Sequence, residues 1–177
     1  VLSNMGRSHG GGVFIMTNRG SVTRTELFKY ITVAAILVFV ILMLIFASGS
    51  TKAFDEVAKG VEASLDTENL VKQDSQALKR YYGLNSAEYD GVLFYSSASS
   101  MSAEEVLMIK VKDDGQMQGV RDAINRRLEN RKHDFDGYAP KQVQLLDSAQ
   151  LKVRGDYIFL AVAPKADEYR AAFSKSL

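Results

Sequence analysis

The stretch QLKVRGDYIFLAVA, residues 150–163, decides the fold. In its first half Leu151 and Val153 alternate with Lys152 and Arg154, the period-two pattern of a strand with one buried face. Gly155 and Asp156 then form a two-residue turn of the Gly-X type, which joins neighbouring antiparallel strands. The returning run, Tyr157 to Ala163, is apolar on both faces, so it is expected to lie centrally in a sheet, covered by helices.

Other segments supply partners for this hairpin. Within YDGVLFYSSAS the residues Val92–Ser96 form one strand, and VLMIKVK (Val106–Lys112) forms another. In the latter Leu107, Ile109 and Val111 alternate against Met108, Lys110 and Lys112, as in a sheet with one wet face. Asp113, Asp114 and Gly115 break that run. Elsewhere the apolar period shifts to 3.6. A helix is expected over Phe54–Leu65, carried by Phe54, Val57, Ala58, Val61 and Leu65, and another over Asp74–Tyr82, ended by Gly83. The clearest amphipathic helix runs from Gln116 to Arg131 on a stripe of Met117, Val120, Ile124 and Leu128. Pro140 opens a short helix, where proline costs little. A last helix after Pro164 presents Tyr169, Ala172 and Phe173. The expected fold class is α+β: an antiparallel sheet of about four strands packed with helices, preceded by one N-terminal transmembrane helix.

That transmembrane helix is expected at Tyr30–Ala47, YITVAAILVFVILMLIFA, which has no charged residue and, beyond the Tyr30 phenol, one polar hydroxyl, Thr32. About 18 residues rising 1.5 Å each nearly match a hydrocarbon core of about 30 Å. Arg19, Arg24 and Lys29 precede the span with only Glu26 against them, so the N-terminus is expected in the cytoplasm and the remainder outside. Ala47 and Gly49 would suit a cleaved signal peptide, but cleaved apolar regions are shorter, about 7–15 residues, which favours an uncleaved anchor. The expected layout is a cytoplasmic tail at 1–29, an anchor at 30–47, a linker at 48–53 and an extracytoplasmic domain at 54–177. The location that follows is a cell membrane, crossed once, with the lipid bilayer as first partner.

At 177 residues the chain holds one domain and an appendage. It has no cysteine, which removes disulfides, thiolate metal sites, cysteine nucleophiles and a lipid-modified cysteine. The formal charge is +1, and most of the N-terminal charge is basic, so the exported part is slightly acidic; nucleic acid is not an expected partner.

Gly6-Arg7-Ser8-His9-Gly10 spells G-x-S-x-G, yet that pattern works only between a strand and a helix, where the turn projects the hydroxyl. Here no strand precedes it. GGGVFIM moreover has the glycine codons of a ribosome-binding site just before Met16, so residues 1–15 are expected to be a miscalled start. His133 stands beside Asp134 and Asp136 in HDFDGY, but the spacing lacks the further ligands of a calcium loop, and turn residues are the simpler reading. Ser96–Ser100 reads as a strand-to-turn linker. Ser102, ahead of Glu104 and Glu105, reads as a helix cap rather than a paired acid-base site. No catalytic residue, metal ligand or cofactor is expected.

The segments MSAEEVLMIKVKD and FDGYAPKQVQLLDSAQLKVRGDYIFLAV, with the helix after them, resemble domain-of-unknown-function family 4358, found in exported or membrane-anchored proteins of Gram-positive bacteria. The resemblance covers about Tyr82 to Phe173. Its most specific residues are Phe135, Tyr138, Pro140 and Gln142, then Gly155 and Tyr157, with Glu104 and Glu105. Many such proteins carry a lipoprotein cysteine; this chain lacks one and has an apolar helix instead. The resemblance implies fold and location, and no activity.

The functional expectation is therefore a non-catalytic binding or adaptor domain at the bacterial envelope. Its contact surfaces are the basic helix, with Arg121, Arg126, Arg127, Arg131 and Lys132, and the Phe135–Pro140 loop with Tyr138. Such a surface suits an envelope protein or an anionic polymer or headgroup. The alternative is a membrane-tethered hydrolase or metal-dependent enzyme using His133 and the nearby aspartates.

Overall fold

Both periodicities close into regular structure in the computed structural model, which describes residues 24–47 and 52–177. The Gly6–Gly10 motif, the start expected at Met16, the flanking Arg19 and linker residues 48–51 lie outside the described residues. The chain divides into two units, 1–43 and 44–177.

Helix α1 occupies Arg24–Ala47. Its side chains described between Leu27 and Met43 are all exposed, Phe28, Ile31, Phe39 and Met43 among them. Lys29 and Thr32 are polar, and the Thr32 hydroxyl donates to the Phe28 carbonyl one turn back at 2.9 Å. No helix among the described residues is long and apolar enough to cross a membrane. The transmembrane helix expected at Tyr30–Ala47 is thus unconfirmed.

The second unit is built on a sheet. Strands β1 (Leu70–Lys72), β2 (Gly91–Ser97), β3 (Glu105–Lys110), β4 (Gln150–Arg154) and β5 (Tyr157–Val162) lie in the order β1-β2-β3-β5-β4, every pair antiparallel. The sheet has five strands where about four were expected. The addition, β1, is three residues long, too short to show a period. It is held by pairing with Tyr95–Ser97 and by Lys72, whose ammonium meets Glu62 at 2.8 Å while the Tyr95 hydroxyl donates to the same carboxylate at 2.9 Å.

Five helices cover this sheet. On one face lie α2 (Phe54–Glu62) and α6 (Ala166–Ser176), whose Val57, Val61, Tyr169 and Phe173 pack on Leu93, Val106, Met108 and Phe159. On the other lie α3 (Ser75–Tyr82), α4 (Gly115–Phe135) and α5 (Pro140–Asp147), whose Leu78, Ile124, Phe135 and Leu146 pack on Phe94, Leu107, Ile158 and Leu160. The central strands are therefore apolar on both sides, and Tyr157 to Val162 is buried throughout, as its composition foretold. The wet face expected for β3 is absent: Met108 is 0% exposed because α2 and α6 cover it, and Lys112 lies beyond the strand.

Local signals account for the ends. Asp74 caps α3, its carboxylate accepting from Ala77 N at 2.8 Å, and Gly83 ends that helix at φ +72°, a conformation that disfavours a β-carbon. Pro140 stands in the first turn of α5. Gly91, at the start of β2, lies under the Phe54 ring, so that any added β-carbon would strike it. Phe54 in turn stacks on Tyr157, with centroids 6.4 Å apart.

Lys52, ahead of α2, is held at this end of the sheet. The Lys52 carbonyl accepts from the Tyr157 hydroxyl at 3.1 Å and from Lys110 Nζ at 3.2 Å, and Lys52 Nζ donates to the Ser176 carbonyl at 2.9 Å. Burial, with the charges of Asp156 and Asp90, pushes the Tyr157 hydroxyl up to about 12 from tyrosine's ordinary 10. The unfolded chain then releases this proton first, so the stabilisation is complete below pH 10 and is lost as pH rises toward 12. Alkaline unfolding curves are expected to fall steeply in that window, and Tyr157→Phe is expected to flatten them. An unchanged slope in the variant would refute the assignment.

Candidate binding site

The opposite end of the sheet carries the polar chemistry. β2 ends at Ser97, and residues 98–104 return the chain to β3, with Ser97 N donating to the Glu104 carbonyl at 2.8 Å. Serine suits such a loop because its hydroxyl can accept from the backbone two residues on. Ser97 Oγ accepts from Ser99 N, Ser99 Oγ from Met101 N and Ser102 Oγ from Glu104 N, each at 3.2 Å. Gln142 on α5 fixes the loop from the side, its Oε1 accepting from Ala103 N at 2.8 Å. Ser102 therefore organises a loop. The helix cap expected there is not formed, because Glu105 already belongs to β3.

Glu105 is 2% exposed. It is tolerated because Arg127 Nε and Nη2 both donate to its Oε2, at 3.2 and 3.0 Å. The Arg127 guanidinium also lies 4.6 Å from the centre of the Tyr81 ring. Burial works against the Arg127 charge, but the Glu105 carboxylate outweighs it and the net shift is upward. Tyr82, wholly buried nearby, has its hydroxyl pushed well up by burial first and by the Glu105 charge second. Neither that hydroxyl nor Glu105 Oε1 has a hydrogen-bond partner among the described residues. One turn along α4, Arg131 Nη2 donates to the Ser102 carbonyl at 2.9 Å, and the guanidinium lies 4.3 Å from the Phe135 ring centre.

Together these groups frame a cleft of about 220 Å³, bordered by five serines, two at the end of β2 (Ser96, Ser97) and three in the loop (Ser99, Ser100, Ser102), with Tyr81, Glu104, Glu105, Arg127 and Arg131. Glu104 has its carboxyl raised, mainly by burial and then by the charge of Asp66, against a lowering bond from Ser102.

The residues expected to bind are thus divided. Arg127 and Arg131 turn toward the cleft, whereas Arg121 and Arg126 are exposed elsewhere on α4. Lys132 pairs with Asp147 at 3.0 Å and Glu129 at 3.6 Å. Tyr138 is 58% exposed and touches Phe135, with centroids 6.0 Å apart, but does not border the cleft. His133 is exposed, Asp134 faces Arg131 at 3.5 Å, and Asp136 borders a separate depression with Gly137, Pro140 and Val143. Among the described residues no group of three or more His, Cys, Asp or Glu side chains is placed to hold a metal ion.

Sequence reasoning missed Glu105, Tyr81 and the five serines as one group. A signal did exist for Arg127, which follows Ala123 by four positions and Ile124 by three. It therefore falls on the buried stripe of α4 rather than its wet side.

The fold and cleft define a class: an α+β domain with helices on both faces of an antiparallel sheet and a polar cleft at one end. The family described as Domain of unknown function (DUF4358) matches residues 63–163, and the chain belongs to that family. The match begins before Tyr82, taking in β1 and α3, and ends before α6. No curated protein and no solved structure matches the chain.

Proposed function

We propose that this protein is a membrane-anchored binding or adaptor domain of the bacterial envelope, held by α1 and presenting the serine–arginine cleft as its ligand site. The observation that carries the reading is α1 itself, whose large apolar side chains are exposed between Leu27 and Met43. A helix apolar on every side needs a protein core or a bilayer around it, and the second unit has closed its own cores without it. The basic residues Arg24 and Lys29 before the apolar run favour a cytoplasmic N-terminus. Exposed Arg121 and Arg126 then offer an adaptor surface beside the cleft-bound arginines.

The absence of cysteine from the sequence makes a direct test available. Single variants Ser99→Cys and Ser21→Cys are treated in whole cells with a membrane-impermeant maleimide. The expected result is labelling of Ser99→Cys alone, with the protein staying in the membrane fraction through alkaline carbonate extraction. Extraction into the soluble fraction, or labelling at Ser21→Cys only, would overturn the proposal.

A further inference from the structure

The cleft presents both signs of charge and both senses of hydrogen bond. Arg127 and Arg131 stand against Glu104 and Glu105, so a free anion entering it meets two carboxylates and a cation meets two guanidiniums. Ser97, Ser99 and Ser102 each use an oxygen lone pair on a backbone N–H, and each hydroxyl keeps a proton to donate. Arg127 holds Glu105 through Nε and Nη2, while its Nη1 donates to nothing among the described residues. The backbone carbonyls of the loop and the Glu104 carboxylate supply acceptors. A ligand matched to this lining is neutral overall and carries several groups that both donate and accept, which is the chemistry of hydroxyls. At about 220 Å³ the cleft is smaller than usual drug-sized pockets of about 300–1,000 Å³, so the occupant is one small unit rather than a chain of them.

From this we infer that the cleft takes a single saccharide unit, whether a free sugar or one residue of a longer glycan. The inference rests on the reading of the cleft as the domain's ligand site. In this arrangement the serine hydroxyls and Arg127 Nη1 bind the sugar hydroxyls, while Glu105 holds Arg127 in place and Arg131 ties down the loop at Ser102. Because the ligand is uncharged, its affinity is insensitive to ionic strength, in contrast to binding at an exposed basic patch.

The test uses the isotope-labelled full chain in an amine-oxide detergent, since a glycoside detergent would itself compete. Glucose, N-acetylglucosamine, inorganic phosphate and glycine are titrated separately, and the backbone amides from Ser96 to Glu105 are followed by NMR. At least one sugar is expected to shift these amides saturably, with a dissociation constant unchanged between low and moderate salt. The double variant Ser99→Ala, Ser102→Ala is expected to weaken that binding about 5- to 50-fold, by the usual worth of lost hydrogen bonds, while amide dispersion elsewhere stays that of the parent chain. If phosphate or glycine saturates these amides and neither sugar does, the cleft remains a ligand site and the saccharide assignment fails. If none of the four probes moves them, the reading of the cleft as a ligand site fails with it.

Discussion

Replacing Arg127 by alanine is expected to destabilise the domain by about 3–5 kcal/mol, because it leaves a buried carboxylate without its partner. Glu105 is 2% exposed, and its bonded oxygen depends on Arg127 alone among the described residues. The wild-type pair is not for that reason strongly stabilising, since both charges are taken out of water to form it. The double variant Glu105→Leu, Arg127→Met is therefore expected to recover most of the loss, and a buried ion pair replaced by apolar residues is often neutral or better. Urea unfolding followed by near-ultraviolet circular dichroism checks both. A loss below about 1 kcal/mol in Arg127→Ala, the range of exposed pairs, would mean that water reaches Glu105.

Truncating Phe173 to alanine is expected to cost about 3–5 kcal/mol, the usual range for a large aromatic side chain removed from a core. Phe173 is 0% exposed and stacks on Phe159 at a centroid distance of 4.8 Å, with the two rings 8° from parallel. It also meets the edge of Tyr157 at 6.3 Å. Phe173→Leu keeps much of the volume and is expected to lose roughly half as much. Thermal unfolding of the two variants beside the parent gives the comparison, and equal losses would show that the aromatic geometry, rather than volume, holds α6.

The sequence made the sheet legible where side chains repeat over enough residues to reveal a period. Tyr157 to Val162 could be recognised as a covered central strand, and Gly83 as a helix stop, because each carries its reason locally. β1 could not, since a three-residue strand exists through its pairing with Tyr95–Ser97 and the Lys72–Glu62 bridge. Met108 shares the parity of Lys110 and Lys112, which by itself points to a wet face. What buries it is α2 and α6, helices from the two flanks of the sheet's sequence, and no local pattern announces their arrival on the same side.

The cleft was harder still. Its serines read as a linker, its glutamates as part of a helix cap and its arginines as one exposed basic surface, each a local reading of a single segment. The site arises only when β3 sets Glu105 inward and α4, more than 20 residues on, brings Arg127 to it. Gln142, which the family resemblance had already marked, comes from farther away to hold the loop at Ala103. Function here belongs to a meeting of segments, and the individual residues carry few marks of it.

The sharing of one sheet face between α2 and α6 has a consequence for biogenesis. The chain is made from its N-terminus and, on the proposed topology, the part after α1 crosses the membrane in the same order, so α2, the whole sheet and the α4 layer are all available before residues 166–176 emerge. Until then Phe159, at the centre of the sheet, is without Phe173 above it. On that topology this face closes only once α6 has emerged, and a chain halted before α6 would leave a bare aromatic surface for chaperones and quality-control proteases to find.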